Sequence, residues 1–398
     1  MITETALRSW RDHVTVPGPV AFAICYSLES CARAMLITIP PLQALALLGN
    51  ARDVSMIYAA AGAAGLIFGL FMPILARRLQ SGRFYALGSA LLVLVPAALA
   101  TGTVSGIAGA IVLTYMAQAC LLNGINLLMM SHVAKRELVR AESLKFFGGA
   151  TGWLVCPVLG VYLFEHAAPM WAFGLSAAAG VGHIVYVGRL GLLHRGEAPA
   201  ALPEAALKPW LSFGRFMRQP RLVLSWVLNI GRGAWWSSFF VYAPIYVVTM
   251  GTTGTTGALV VSLGTGLLYV IPLFGRLAMR IGVRPVIIGA FVAAGVATAA
   301  VTLAGAHVEV GIVMLLIGAL AGVALDATTQ ITFYRAARAR ERPEMGMVYG
   351  YYRDVASLLP HTLFAFLLSF FGLDSVFLAI AAGMFACAWL GRWVPRGM

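Results

Sequence analysis

Twelve separate runs of mostly apolar residues, each near the length of a bilayer crossing, take up most of the chain. They cover 17–47, 55–76, 84–103, 106–131, 146–165, 169–188, 222–249, 255–275, 285–305, 308–333, 346–371 and 375–391. A helix of about 20 apolar residues crosses the hydrocarbon core and satisfies its own backbone hydrogen bonds, which lipid cannot do for it. So many runs leave one solution, an all-α polytopic membrane bundle of twelve transmembrane helices, numbered here spans 1 to 12. Composition agrees: 60% of the 398 residues are hydrophobic and 11% charged, against roughly a quarter charged in soluble domains.

The net charge of +13 invites a nucleic-acid reading, but the placement of the cations opposes it. Of the 28 lysines and arginines, Arg33, Arg232 and Arg353 lie within spans, and only Arg52 stands in a loop after an odd-numbered span. The others fall in the termini and in the connections after even-numbered spans. Cytoplasmic loops carry such an excess, so both termini are expected in the cytoplasm of a plasma (inner) membrane protein, with no nucleic-acid partner. The polar N-terminus lacks the apolar core of a cleaved signal, so span 1 is expected to be retained. The five cysteines sit inside apolar runs without CxxC spacing, which points to packing and to no metal or disulfide framework.

One long polar connection, 189–221, divides the chain into 1–188 and 222–398, six spans each. A constant offset of 203 residues pairs Pro41 with Pro244, Arg77 with Arg280, Pro157 with Pro360, and Gly188-Arg189 with Gly391-Arg392. Landmarks of this kind at matching span ends, without drift, imply two pseudo-symmetric six-helix bundles, a repeat plan of secondary transporters.

The loop between spans 8 and 9 reads GRLAMRIGVR. It resembles the G-x-x-x-D-R-x-G-R-R loop signature of the major facilitator superfamily through Gly275, Arg280, Gly282 and Arg284, with Met279 at the acidic position. In the loop between spans 2 and 3, Arg77 matches, Gly82 is displaced and Ala76 stands at the acidic position. GWLVCPVLGVYL in span 5 is similar to the G-x-x-x-G-P-x-x-G-G element of the superfamily's antiporters: Gly152, Pro157 and Gly160 stand, while Cys156 and Val161 replace glycines. The R-x-x-Q-G element of proton–drug antiporters is not there, because Tyr115 occupies the arginine position. The resemblance implies the major facilitator fold, with spans 1, 4, 7 and 10 around a central cavity.

Charges inside a bilayer need partners, water or a purpose. Here they are Glu29, Arg33, Arg232, Asp326, Arg353 and Asp354, with His361 deeper in span 11; His183 in span 6 reads as a packing histidine. Glu29 plus 203 is Arg232, which puts the two at equivalent depth across the cavity and suggests Glu29 held between Arg33 and Arg232. Helical spacing adds Tyr26 in span 1 and Asn229 and Trp236 in span 7. The substrate set is then Tyr26, Glu29, Arg33, Asn229, Arg232, Trp236 and Arg353. Proton coupling is assigned to Asp326, Asp354 or His361, with Asp326 first because no basic residue lies within a turn of it. Arg77, Gly82, Gly275, Arg280, Gly282 and Arg284 are the gating-loop set.

The function expected is a monomeric secondary transporter that moves a small anionic or zwitterionic organic solute by alternating access, coupled to protons. An efflux pump for amphiphilic compounds is the alternative, favoured by the span 5 element and Trp235-Trp236. A non-transporting receptor or assembly factor on the same fold is a third possibility. No cofactor, Walker loop or HxxxH, DxxD or CxxC cluster is present, which argues against an ATP-driven pump and against a membrane enzyme.

Overall fold

The computed structural model describes residues 17–134, 136–193, 209–305, 307–338 and 341–395, without the side chain of Arg77 among a few others. Every regular element among them is helical. Span 1 consists of Pro19–Leu36 and Ile39–Leu48, broken just before Pro40 and Pro41, which supply no amide to the carbonyls four residues earlier. Spans 2 to 6 are Ala51–Arg78, Ser81–Ala100, Val104–His132, Leu138–His166 and Pro169–Arg189. Asn50 caps span 2 by accepting from the Asp53 amide at 2.8 Å, and Thr103 caps span 4 by accepting from Gly106 at 3.1 Å.

Span 7 is Pro220–Thr249. Span 8 runs as Gly254–Gly266, a 3₁₀ turn Leu267–Val270, and Ile271–Ile281. Spans 9 and 10 are Val283–Val301 and Val308–Ala336. Span 11 is Arg342–Gly350 and Tyr352–Leu367, and span 12 is Asp374–Leu390 with the turn Gly391–Trp393. Among the described residues, 10 segments are long and apolar enough to cross a membrane; the two that fall short, spans 7 and 11, hold Arg232 and the adjacent Arg353 and Asp354.

The connection 189–221 contains a helix, Pro209–Met217. Ser212 of this helix donates to Glu344 at 2.7 Å and Arg215 forms an ion pair with the same carboxylate, so the helix is tied to the start of span 11. Residues 194–208 of the connection, with Arg195 and Lys208, lie outside the described residues.

Two seams join the halves, spans 5 with 8 and spans 2 with 11. In the first seam Pro157 withholds an amide from the carbonyl of Trp153, four residues earlier. Thr265 of span 8 donates its hydroxyl to that carbonyl at 2.7 Å, and Ser262 accepts from the amide of Val158 at 3.1 Å. The other half thus satisfies the backbone group that the proline releases, as a dry bundle requires. In the second seam glycine permits close approach: a Cβ on Gly62 would lie 2.9 Å from the Cα of Leu358, and one on Gly69 would lie 2.8 Å from a carboxylate oxygen of Asp354.

Toward the loops that follow odd-numbered spans, the halves are closed on each other. Ser55 and Tyr242 share a 2.6 Å hydrogen bond, His361 stacks on Tyr58 at 5.2 Å, and Glu165 accepts from both the amide and the hydroxyl of Thr255. At the opposite end, among the described residues, spans 4 and 5 do not pack along spans 10 and 11, and Pro19–Leu36 packs on spans 5 and 6 rather than along span 7.

Candidate functional site

Span 1 carries Glu29 and Arg33 because a helix tightly packed on span 5 can hold polar groups away from lipid. Gly148, Gly149, Gly152 and Gly160 of span 5 let the two backbones meet; a Cβ on Gly160 would fall 1.9 Å from the carbonyl of Met35. Glu29 is 0% exposed and forms no ion pair among the described residues. Tyr85 of span 3, Arg33 and Lys145 are its polar surroundings. Arg33 is nearly buried, forms no ion pair among the described residues, and places its guanidinium carbon 5.7 Å from the centre of the Trp153 ring.

The bridge expected between Glu29 and Arg232 does not form. Arg232 instead donates to Asp326 of span 10 at 2.6 Å and to the Tyr352 hydroxyl at 2.7 Å. Trp236, one helical turn from Arg232, donates its indole N–H to the second oxygen of Asp326 at 2.9 Å. Spans 7 and 10 are packed neighbours, whereas the 203-residue register aligns Glu29 with Arg232 in depth and says nothing of their separation. The expectation that Asp326 lacks a basic neighbour is corrected by the same geometry, since its partner comes from another helix.

Asn229 is fully buried and spent on span 10: its amide donates to the Thr329 carbonyl at 3.2 Å, and Thr329 donates back to its side-chain oxygen at 3.1 Å. It ties two helices together and presents nothing to a solute. Arg353 donates to the Tyr352 hydroxyl at 3.2 Å and has no carboxylate within ion-pair distance among the described residues. The Tyr352 hydroxyl therefore accepts from two guanidiniums. Asp354 faces away toward Gly69 of span 2. His361 donates from Nδ1 to the Ser357 carbonyl at 2.6 Å, which leaves Nε2 as an acceptor that nothing meets.

Tyr26 lies against Gly149, and its ring is 5.6 Å from the Lys145 ammonium. Lys145, counted as a loop residue from the sequence, is buried: span 5 begins at Leu138, which carries Lys145 into the helix, where it pairs with Glu142 at 2.7 Å. Trp153 and Phe240 also escaped the sequence reading.

His183 packs as expected, 2.5 Å from the Ser89 hydroxyl and edge-on to Tyr85. Of the gating-loop set, Gly282 adopts φ +95°, a conformation that favours glycine, at the junction of spans 8 and 9. Gly82 abuts the carbonyl of Leu192. Gly275 lies inside the helix Ile271–Ile281 with open space around it, and Arg280 projects outward from the end of that helix. Arg284 opens span 9 partly exposed. The side chain of Arg77 lies outside the described residues.

Charged groups held inside a membrane bundle mark a candidate functional site, and comparison with known proteins identifies the fold. The chain is similar in fold to the peptide transporter POT in complex with sulfate, with TM-score 0.74 and 13% identity over 94% of this chain and 93% of that one. It is likewise similar to a POT family transporter in complex with 5-aminolevulinic acid, with TM-score 0.74 and 14% identity over 92% and 94% of the two chains. The nucleoside transporter NupG gives 0.69 and 13% over 94% and 98%. No curated protein matches. The sequence profile of the Major Facilitator Superfamily matches residues 22–360, most of the chain. The protein is thus a multi-pass membrane protein, and it belongs to the major facilitator superfamily.

Proposed function

We propose that the protein is a secondary transporter for a small organic solute bearing negative charge, anionic or zwitterionic, which it moves by alternating access. The observation that carries this reading is the pair Arg33 and Arg353: two guanidiniums, one from each half, that form no ion pair among the described residues, with Glu29 and Asp354 near them but outside ion-pair distance. An unpaired charge held out of water is costly, and a bound anion offsets that cost in both halves at once. Arg232 does not share this role, because Asp326 already balances it. The closed contacts at Ser55–Tyr242 and Glu165–Thr255, against the unpacked opposite end, support a conformation open toward the basic loops, which by their charge face the cytoplasm.

For coupling, Glu29 is the better candidate than Asp326. Asp326 is fixed by Arg232 and Trp236, whereas Glu29 has the Tyr85 hydroxyl beside it and no ion pair among the described residues. Proton gain at Glu29 would change the field felt by Arg33 one turn away, and with it the hold on the solute. Asp354 and His361 remain in this set as the groups at the seam between spans 2 and 11.

The test is thermal stabilisation of the purified protein by a panel of organic anions, zwitterions and cations at two pH values. Arg33→Gln and Arg353→Gln should each abolish stabilisation by anions. Stabilisation by cations alone, or anion binding untouched in both variants, would sink the reading.

A further inference from the structure

A course of rings, broken once by an ion pair, links Arg33 to Arg353. Arg33 lies over Trp153. Trp153 meets Phe240 across the seam between the halves, centroids 5.4 Å apart at 36°, and Phe240 stacks on Trp236 at 5.7 Å and 24°. Beyond Trp236 the network passes through the Arg232–Asp326 pair to Tyr352, over whose ring both Arg232 and Arg353 sit, 5.4 and 5.5 Å from its centroid.

Two features separate these rings from ordinary core. Trp153, Trp236 and Phe240 each keep part of their surface accessible, whereas the adjacent Trp235 and Phe239 are buried. Trp235 spends its N–H on Thr298 of span 9 and stacks on Phe239, facing the interior of its own half. Of the Trp235-Trp236 pair, one ring is core and the other looks toward the opposite half. A guanidinium over a ring is itself a favourable contact, and the accessible face of such a ring, beside a charge without an ion pair, suits a flat ligand with a charged end.

We infer that the solute is an aromatic organic anion: an acidic group read by Arg33 and Arg353, and a planar ring system laid on Trp153, Phe240 and Trp236. This rests on the anion reading above and narrows it. Because Trp153 belongs to one half and the other two rings to its partner, such a ligand touches both halves only when they are close. Ring stacking then couples occupancy to the rocking of the halves.

The experiment uses matched probes on the purified full-length protein, with affinity read from quenching of tryptophan fluorescence and from thermal stabilisation. Phenylacetate and indole-3-acetate carry the ring and the charge, cyclohexylacetate has the charge without the ring, and phenylacetamide has the ring without the charge. The expected result is binding of the two aromatic acids about tenfold tighter than cyclohexylacetate, as offset stacking on two faces supplies, with no binding of the amide. Trp153→Leu should bring the aromatic acids down to the affinity of cyclohexylacetate, while Trp153→Phe should keep most of the preference and guards against misfolding. Equal affinity for the aromatic and alicyclic acids overturns the aromatic inference and leaves the anion reading standing. Binding of phenylacetamide as tight as phenylacetate overturns the anion reading, and binding of no acid overturns both.

Discussion

Asp326→Asn isolates the one ion pair that joins spans 7 and 10. The carboxylate accepts from Arg232 at 2.6 Å and from Trp236 at 2.9 Å, and the two charged side chains are 12% and 18% exposed. Truncating one member of a buried pair costs about 3–5 kcal/mol, most of it the penalty on the charge left behind. Partial exposure places this pair at the lower end, about 3 kcal/mol for either Asp326→Asn or Arg232→Gln. The double variant leaves no orphaned charge, so it should lose less than the sum, with a coupling energy of about 2 kcal/mol. Equilibrium unfolding by SDS in mixed micelles measures all four corners of the cycle. A parallel cycle between Glu29→Gln and Arg232→Gln should give coupling near zero, because Arg232 is committed to span 10. Strong coupling in that second cycle with none in the first would refute the assignment of partners.

Thr265→Val strands the Trp153 carbonyl and should cost about 1–3 kcal/mol; in a Pro157→Ala background, where an amide returns to that carbonyl, the same change should cost much less in the same unfolding assay. Gly160→Ala must push span 1 away from span 5, because its Cβ would lie 1.9 Å from the Met35 carbonyl, and it should lower the thermal midpoint more than Gly109→Ala, which meets open space. Gly282→Val forces a β-branched residue to φ +95°, at about 1–3 kcal/mol of local strain; transport in proteoliposomes should fall while binding persists, since no residue of the site lies at that turn. Tyr242→Phe loses the hydrogen bond to Ser55, and cysteines placed along the seam near Tyr58 should then react faster with a water-soluble maleimide.

The all-helical membrane bundle was legible because lipid leaves the backbone no alternative, and the periodic landmarks at 203 residues pointed to the two-half plan. The break in span 1 before Pro40 and Pro41 was not read from the sequence, where 17–47 stood as one run. Partners were not legible. The register aligned Glu29 with Arg232 in depth, but the neighbours of Arg232 are set by which face of span 7 meets span 10, and periodicity alone does not choose a face. Lys145 was missed because hydropathy stops at the first charge, although the helix continues through Lys145 back to Leu138. Trp153 was passed over within the very stretch quoted for its glycines and proline, since a tryptophan in an apolar run gives no sign of standing over an arginine. Asn229 misled in the other direction: a polar residue on the expected face is bonded to Thr329 of span 10 and to the Ser225 carbonyl of its own helix.

The account turns on Arg33 and Arg353 as the two charges awaiting a solute. Charge displacement recorded on a solid-supported membrane from proteoliposomes, after concentration jumps of organic anions, tests it most directly. Wild type should respond to anions that stabilise the purified protein, Arg33→Gln and Arg353→Gln should each lose the current, and Arg280→Gln, remote from the site, should keep the peak charge of binding. Anion-evoked currents of wild-type size in both arginine variants would contradict the claim.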